Sequence, residues 1–203
     1  EKYKEFLSLG DWHVHTSYTD GKNTVYELCR RARENRLRLI AFTEHVRRTL
    51  TYRFEDLVND IENARKRFRD LKILAGCEAK VLDLEGNLDA SKDVLGKCDI
   101  VIGVFHTFPF SDKDSLLTAL ENMLRNPEVD IWGHPATFFR MSRADGNETE
   151  HIVDMCIKNR VLIENNLQPK YAPPKIFMDI VKKKGACTVI SSDAHSLEEL
   201  RRI

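Results

Sequence analysis

The chain lacks several features that would place it at once. It has no excess charge of one sign, because 32 lysines and arginines balance 32 aspartates and glutamates over 203 residues. No global field therefore draws it to nucleic acid or to an anionic membrane, although a sum of zero leaves room for a local basic patch. It has no C-x-x-C pair. Its five cysteines (Cys29, Cys77, Cys98, Cys156 and Cys187) are odd in number, widely spaced and set among apolar residues, which reads as buried free thiols in a reducing, cytoplasmic compartment. It has no long hydrophobic run: stretches such as residues 99–105 are of strand length, far short of the roughly 20 residues that span a bilayer, and no signal segment is read. A glycine-rich phosphate loop after the first apolar run is missing too, which counts against a nucleotide-binding open sheet. The chain opens at Glu1 without an initiator Met, as an excised domain or a trimmed terminus would.

What is present is the composition of a soluble globular protein, 42% apolar and 32% charged. The length suits one domain over residues 1–203, large enough to bury roughly 70% of the surface of its unfolded chain. Short β-rich runs alternate with amphipathic segments from end to end. Strands are predicted over residues 9–15, 37–43, 71–81, 99–106, 129–134, 160–165 and 186–192. Between them, Phe54, Leu57, Ile61, Ala64 and Phe68 recur at helical steps, as do Ile176, Phe177, Ile180 and Val181, each set predicting one buried stripe. Thr24 and Glu27 have the spacing of a capping box, with Val25, Leu28, Cys29 and Ala32 on the apolar face behind it. Pro173 and Pro174 suit the start of a later helix. Several strands are continuous apolar runs, the mark of parallel strands covered on both faces.

Period alone does not separate an open sheet from a closed barrel, but the polar residues do. Of seven histidines, six (His13, His15, His45, His106, His134 and His195) fall at or just past a predicted strand end. A lone histidine is ordinarily a satisfied core or surface residue, and His151, in a helical stretch, fits that description. Six at equivalent points of successive units indicate one place, the C-terminal rim where barrels build active sites. His13 and His15, two apart on a strand, face the same side and reach one ion while Val14 faces away. Glu78 ends the third strand with a carboxylate able to bridge two cations, and Asp193 and His195 repeat the two-apart spacing. Asp20 precedes Gly21, an ordinary turn signature, so spacing alone leaves it open. Nitrogen and oxygen donors without cysteine suit Zn, Mn or Fe, and Cys77, next to Glu78, should face the other side of its strand and pack.

Together, His13-Val-His-Thr16, Thr19-Asp-Gly21, Thr43-Glu-His45, Gly76-Cys-Glu78, His106, Gly133-His-Pro135 and Ser192-Asp-Ala-His195 resemble, in order, the motifs of the PHP (polymerase and histidinol phosphatase) family. The resemblance implies an α/β fold, a distorted (β/α)7 TIM-like barrel holding three divalent metal ions. One ion would be held by His13, His15, Glu78 and Asp193, a second by Glu78, His106 and His134, and a third by Asp20, His45 and His195. It further implies a metal-dependent phosphoesterase in which a hydroxide bridging two cations attacks phosphorus, with Asp193 and His195 also placed for proton transfer. Arginines after rim histidines (Arg47, Arg48, Arg140 and Arg143) are candidates for the substrate phosphate, Arg140 first among them. Glu164 and Asn165, at the end of the sixth strand, read as supporting polar groups. Neutral charge and length favour a phosphatase acting on a small phosphomonoester such as histidinol phosphate. A phosphodiesterase or 3′-5′ exonuclease module is the alternative, with Tyr18, Phe108, Phe110, Phe138 and Phe139 as rim aromatics for a base, and a non-catalytic metal-stabilised scaffold is a third reading. Nucleic acid is a possible but not a favoured partner, and no membrane contact is expected.

Overall fold

The computed structural model of the chain describes residues 3–200. Seven parallel strands lie side by side in chain order: β1 (Gly10–Val14), β2 (Leu39–His45), β3 (Lys72–Lys80), β4 (Ile100–Val104), β5 (Ile131–Trp132), β6 (Leu162–Asn166) and β7 (Thr188–Ser191). The sheet does not end in two free edges. Val14 bridges Ala194 in parallel, and the His15 N–H donates to the Ala194 carbonyl at 2.9 Å, so the end of β1 closes on the segment leaving β7. The result is a (β/α)7 TIM-like barrel. Around it run α1 (Val25–Glu34), α2 (Phe54–Arg67), the short α3 (Lys92–Leu95), α4 (Lys113–Arg125), α5 (Pro135–Ser142), α6 (Gly146–Asn159) and α7 (Lys175–Lys184). None of these helices is long and apolar enough to cross a membrane.

Strand alternation sorts the apolar residues into two cores. Outward residues such as Ile40, Phe42, Ile73 and Ile163 pack beneath the helices, while Leu39, Ala41, Leu74, Ile100, Ile102 and Val189 fill the barrel. The register of β1 shifts between Asp11 and Val14, an irregularity of the kind that re-aims side chains next to a site. It lets Trp12 join the interior apolar cluster although His13 and His15 both face the mouth. Tyr3, Phe6 and Leu7 pack on that cluster from the N-terminal side, and the Trp12 indole N–H reaches the Phe6 carbonyl at 3.3 Å. The barrel is thus stoppered with hydrocarbon at its floor, where a small recess of about 200 Å³ remains beside Tyr3, Leu7 and Trp12, and its strand-end histidines gather at the opposite end.

The helices follow the sequence closely. Thr24 caps α1 by the reciprocal pair, its hydroxyl accepting from the Glu27 N–H while Glu27 accepts from the Thr24 N–H. Val25, Leu28, Cys29 and Ala32 are buried, as are Phe54, Leu57, Ile61, Ala64 and Phe68 of the second stripe. One expectation fails in α7, where Phe177 and Val181 are buried but Ile176 is 77% exposed. Ile176 and Phe177 are adjacent, about 100° apart on a helix, and only one of them lies over the barrel. Pro174 is the cap of this helix rather than part of its first turn. Strand ends agree to within two residues throughout, and β5 is trimmed to Ile131–Trp132 because Gly133 and His134 already turn into α5.

The five cysteines are free, with Cys29, Cys77 and Cys156 buried and Cys98 and Cys187 half-buried. Cys77 packs in the outer core, on the face opposite Glu78. Burial pushes the thiols of Cys29 and Cys156 up to about 12, well away from the reactive thiolate form. The folded protein at about pH 8 should therefore react with a thiol reagent at Cys98 and Cys187 at most, and at all five cysteines after denaturation. Rapid labelling of Cys29, Cys77 or Cys156 in the native state would contradict this packing.

Candidate metal centre

The nine residues expected to bind metal converge on the open end of the barrel. Their elements bring them there by a common rule, since each lies at or just beyond the C-terminal end of a strand or in the loop that follows. His13 belongs to β1 and His15 follows it, His45 ends β2, Glu78 sits near the end of β3, and His106 and His134 lie two residues past β4 and β5. Asp193 and His195 come from the segment after β7, and Asp20 from the β1–α1 loop. The loop can fold back this far because Gly21 lies against β1, where an added Cβ would meet the His15 carbonyl oxygen at 2.5 Å.

Glu78 is the hub. Its carboxylate lies 2.5 Å from His45 Nδ1, 3.1 Å from His106 Nε2, 3.6 Å from His134 Nε2, 3.7 Å from His13 Nε2 and 3.9 Å from His15 Nε2. Asp193 forms a second focus, at 3.3 Å from His15 Nε2, 3.8 Å from His13 Nε2 and 3.2 Å from His134 Nε2. Asp20 lies between His45 Nε2, at 3.3 Å, and His195 Nε2, at 3.4 Å. Donor atoms draw together within 4.8 Å in the sets His13–His15–Glu78, His45–Glu78–His106 and His15–Asp20–His45–His195, and His13 and His134 also group with Glu164.

His13, His15, Glu78 and His134 are buried, yet His13 Nε2, both ring nitrogens of His15, both oxygens of Glu78 and His134 Nε2 lack a well-aligned hydrogen-bond partner. Orphaned polar atoms are costly inside a protein, and so many aimed at one small volume suit bound cations. The charges reinforce one another. Burial raises the carboxyl of Asp193, but His13, His134 and His15 outweigh it and hold the group far below the ordinary range. Glu78 is likewise held well below its usual value, against burial, chiefly by His13 and His106. Burial lowers His13, but Asp193, Glu164 and Glu78 prevail and raise it well above normal, whereas His15 is pushed down to about 4 by burial and by its charged neighbour.

Three supporting carboxylates and amides hold this array. Glu164 bonds His13 Nδ1 at 2.7 Å and accepts from the His134 N–H at 2.6 Å and the Ser191 hydroxyl at 2.7 Å, which leaves His13 Nε2 free to face Glu78. Asn165 does not share this task. The strand runs one residue further than expected, so Asn166, two places on from Glu164, faces the interior and donates to Asp193 at 3.3 Å. Glu44, fully buried, accepts from the Thr16 N–H at 2.7 Å and from the Thr19 hydroxyl, and so ties the Asp20 loop to β2. Its position beside His45 was the only signal for it in the sequence. His134 and Asp193 both hold left-handed backbone, with φ of 49° and 51°, a conformation that histidine and aspartate enter more readily than most side chains but that glycine alone adopts without cost.

A cleft of about 500 Å³ opens over the array, lined by Asp20, His45, His106, His134, Asp193 and His195 together with Arg47, Thr137, Arg140, Lys170 and Tyr171. Arg140 is therefore at the rim as expected, and Arg47 joins it, while Arg48 and Arg143 do not line this space. The Arg140 guanidinium donates to the Lys170 carbonyl and the Thr137 hydroxyl, both at 2.9 Å. Lys170 and Tyr171, in the β6–α7 loop, were not singled out from sequence. The Tyr171 ring stacks on His134 at 4.1 Å and 6°, and Lys170 Nζ lies 4.9 Å from the Tyr171 ring centre. Among the expected rim aromatics, Phe138 is buried in the outer core against Trp132 and Phe105, so it closes no pocket. Tyr18 lines a second recess of about 320 Å³ that shares Asp20, His45 and Arg47 with the cleft.

The chain is similar to several known proteins. It is 28% identical to a DNA polymerase/3′-5′ exonuclease of Bacillus subtilis (strain 168), over 98% of this chain and 38% of that protein. It is 33% identical to a probable phosphatase of Thermoanaerobacter sp. (strain X514), over 62% of this chain and 53% of the relative. The chain thus spans well under two thirds of the length of both. A solved histidinol phosphate phosphatase of Lactococcus lactis, complexed with zinc, L-histidinol and phosphate, superposes with a TM-score of 0.67 at 16% identity, covering 93% of this chain and 86% of that one. The family model of the PHP domain matches residues 11–167, and the chain belongs to that family.

Proposed function

We propose that this chain is a metal-dependent phosphoester hydrolase acting on a small phosphomonoester of the histidinol phosphate kind. The observation that carries the reading is the set of buried, unpartnered imidazole and carboxylate atoms of His13, His15, Glu78 and His134 at the base of the cleft. Three divalent ions, Zn, Mn or Fe, are assigned to His13, His15, Glu78 and Asp193, to Glu78, His106 and His134, and to Asp20, His45 and His195. Cations bound there would supply Lewis acidity, neutralising phosphate charge and making water acidic enough to attack near neutral pH.

The residues of the chain have their own tasks in this reading. Glu164 fixes the tautomer and orientation of His13, and Glu44 fixes the loop that carries Asp20. Asp193 and His195 stand at the cleft floor, where a leaving oxygen takes up its proton. Arg140 is held by Lys170 and Thr137 through one N–H on each terminal nitrogen, and each of those nitrogens keeps a second N–H for a phosphate oxygen. Lys170 and Arg47 add positive charge on either side of the cleft. The small-molecule reading is supported by the balanced net charge and by the histidinol and phosphate bound in the Lactococcus lactis fold relative. A phosphodiesterase or exonuclease reading is supported by the match of 98% of this chain to a part, 38%, of the Bacillus subtilis polymerase/exonuclease and by the second recess beyond His45, which leaves space on both sides of a reacting phosphorus.

The test is hydrolysis of an aryl phosphomonoester, a bis-aryl phosphodiester, histidinol phosphate and short single-stranded DNA, each with added Zn, Mn or Fe and with chelator. Turnover of monoesters that chelator abolishes and His13→Ala lowers by roughly 100-fold or more is expected. Turnover confined to diesters or DNA would transfer the protein to the second reading, and silence throughout with metals bound would refute both. Arg140→Ala should raise KM for a phosphorylated substrate by roughly tenfold or more, the worth of a charge-assisted hydrogen bond; an unchanged KM removes Arg140 from the site. Glu164→Gln should weaken metal binding by roughly 10–100-fold in a competition titration while the fold persists, and unaltered affinity would make Glu164 a packing residue only.

A further inference from the structure

The net charge of zero conceals a segregated surface. Where α1 and α2 end, on the side of the barrel away from the cleft, Arg30, Arg33, Arg36, Arg38 and Arg67 are exposed together with Arg69 and Lys72. They are neighbours in space. Arg30, Arg33, Arg36 and Arg38 line one open recess of about 700 Å³, the Arg33 and Arg67 guanidinium groups both lie 5.9 Å from the Phe68 ring, and the Lys72 N–H donates to the Arg38 carbonyl at 2.9 Å. Two carboxylates, Glu34 and Asp70, line this recess with them. Glu34 pairs with Arg30 and Arg31, and Asp70 pairs with Arg33 at 2.9 Å. Among the described residues, Arg36, Arg38, Arg67, Arg69 and Lys72 form no ion pair.

Helix dipoles do not account for this. Cations in a last turn are favoured by the C-terminal partial charge, as Lys182, Lys183 and Lys184 of α7 are, but the effect is lost beyond that turn. Arg36, Arg38, Arg69 and Lys72 lie outside α1 and α2, in the connections and at the start of β3. Arg36 even holds its place in left-handed backbone, at φ 62°.

The patch is also shaped and chemically selective. It continues up the seam between α1 and α2 into a second recess of about 470 Å³ lined by Tyr26, Asn63 and Arg67 and by one carboxylate, Asp60, which accepts from the Tyr18 hydroxyl at 2.8 Å. Tyr26 is 50% exposed although its ring leans on Phe68 at 5.1 Å. Arginine predominates over lysine, and its planar fork matches phosphate better than an ammonium does. A concave row of arginines ending in an exposed tyrosine combines backbone neutralisation with a stacking face, the two elements used to hold single strands. An acidic polypeptide would use the cations and leave the tyrosine idle.

We propose that this α1–α2 face is a docking surface for single-stranded nucleic acid, separate from the cleft and independent of what the cleft hydrolyses. The phosphate backbone runs along Arg30, Arg33, Arg36 and Arg38, and a base stacks on Tyr26.

The experiment is fluorescence anisotropy of a labelled phosphorothioate single strand of about 20 nucleotides against the metal-loaded protein. Saturating inorganic phosphate is present to occupy the catalytic cleft, and the salt concentration is varied. Binding in the micromolar range at low salt is expected, with log K falling linearly against log salt. Arg36→Asp combined with Arg38→Glu, where Asp is tolerated in left-handed backbone, should weaken binding at least tenfold and reduce the slope by about 1.4, at roughly 0.7 per phosphate contact. The same variant should keep its melting temperature and its turnover of an aryl phosphate. Lys182→Glu combined with Lys183→Glu, at a helix end of ordinary dipole type, should leave binding unchanged, and Tyr26→Ala should weaken it without altering the salt slope. The proposal is overturned by absence of binding at low salt, by binding indifferent to the Arg36 and Arg38 changes, or by polyglutamate that competes as well as the strand does.

Discussion

A single buried carboxylate organises this molecule. Glu78 lies within 4 Å of imidazole nitrogens from five histidines, carried by the ends of β1, β2, β4 and β5. Such a group is tolerated in a low-dielectric interior only when surrounded by opposite charge or by cations, and no single strand supplies enough of them. The barrel does, by curving its strands until their ends point at one another. Closure through Val14 and Ala194 brings Asp193 and His195 beside His13 and His15, so the topology and the electrostatics of the mouth are solutions to the same problem. The hydrocarbon floor of Trp12, Phe6 and Leu7 completes the arrangement by leaving the mouth as the barrel's polar end.

Much of this was legible in the sequence because two periods were at work at once. The alternation of apolar runs showed parallel strands with crossover helices, and the recurrence of histidine at strand ends distinguished a barrel from an open sheet. Nine mouth residues followed from that, Asp20 among them once the motif order was recognised. The gaps have physical causes. Glu44 and Asn166 act through backbone and second partners whose identity depends on tertiary closure, and neither stands in a repeating pattern, whereas Glu164 was legible as a supporting group from its place at the end of the sixth strand. Asn165 was preferred to Asn166 because a strand end slipped by one residue exchanges the two faces. Tyr171 and Lys170 come from an irregular loop, where no period constrains what faces the cleft. Ile176 shows the converse, an apolar residue in register with a stripe but turned to solvent.

Charge is distributed as unevenly as polarity. The mouth gathers imidazoles and carboxylates, its walls carry Arg47, Arg140 and Lys170, and the arginines of α1 and α2 lie on the far side of the barrel. Each group would be invisible in a net charge of zero. The wall cations owe their places to local bonds, as with Arg140 between Lys170 and Thr137, whereas the arginines near Arg36 are held by few partners and stay in water.

His134 and Asp193 stand in backbone that glycine would adopt with less strain. At both positions, then, the local conformation and the side chain pull in different directions, and the side chain is retained against the preference of the main chain. Drift under selection for folding alone would replace them early, since each exchange relieves both a torsion and a buried charge. Persistence of imidazole at 134 and carboxylate at 193 in descendants of this chain is therefore a record of use, and their loss would mark the lineage in which the mouth of the barrel had fallen idle.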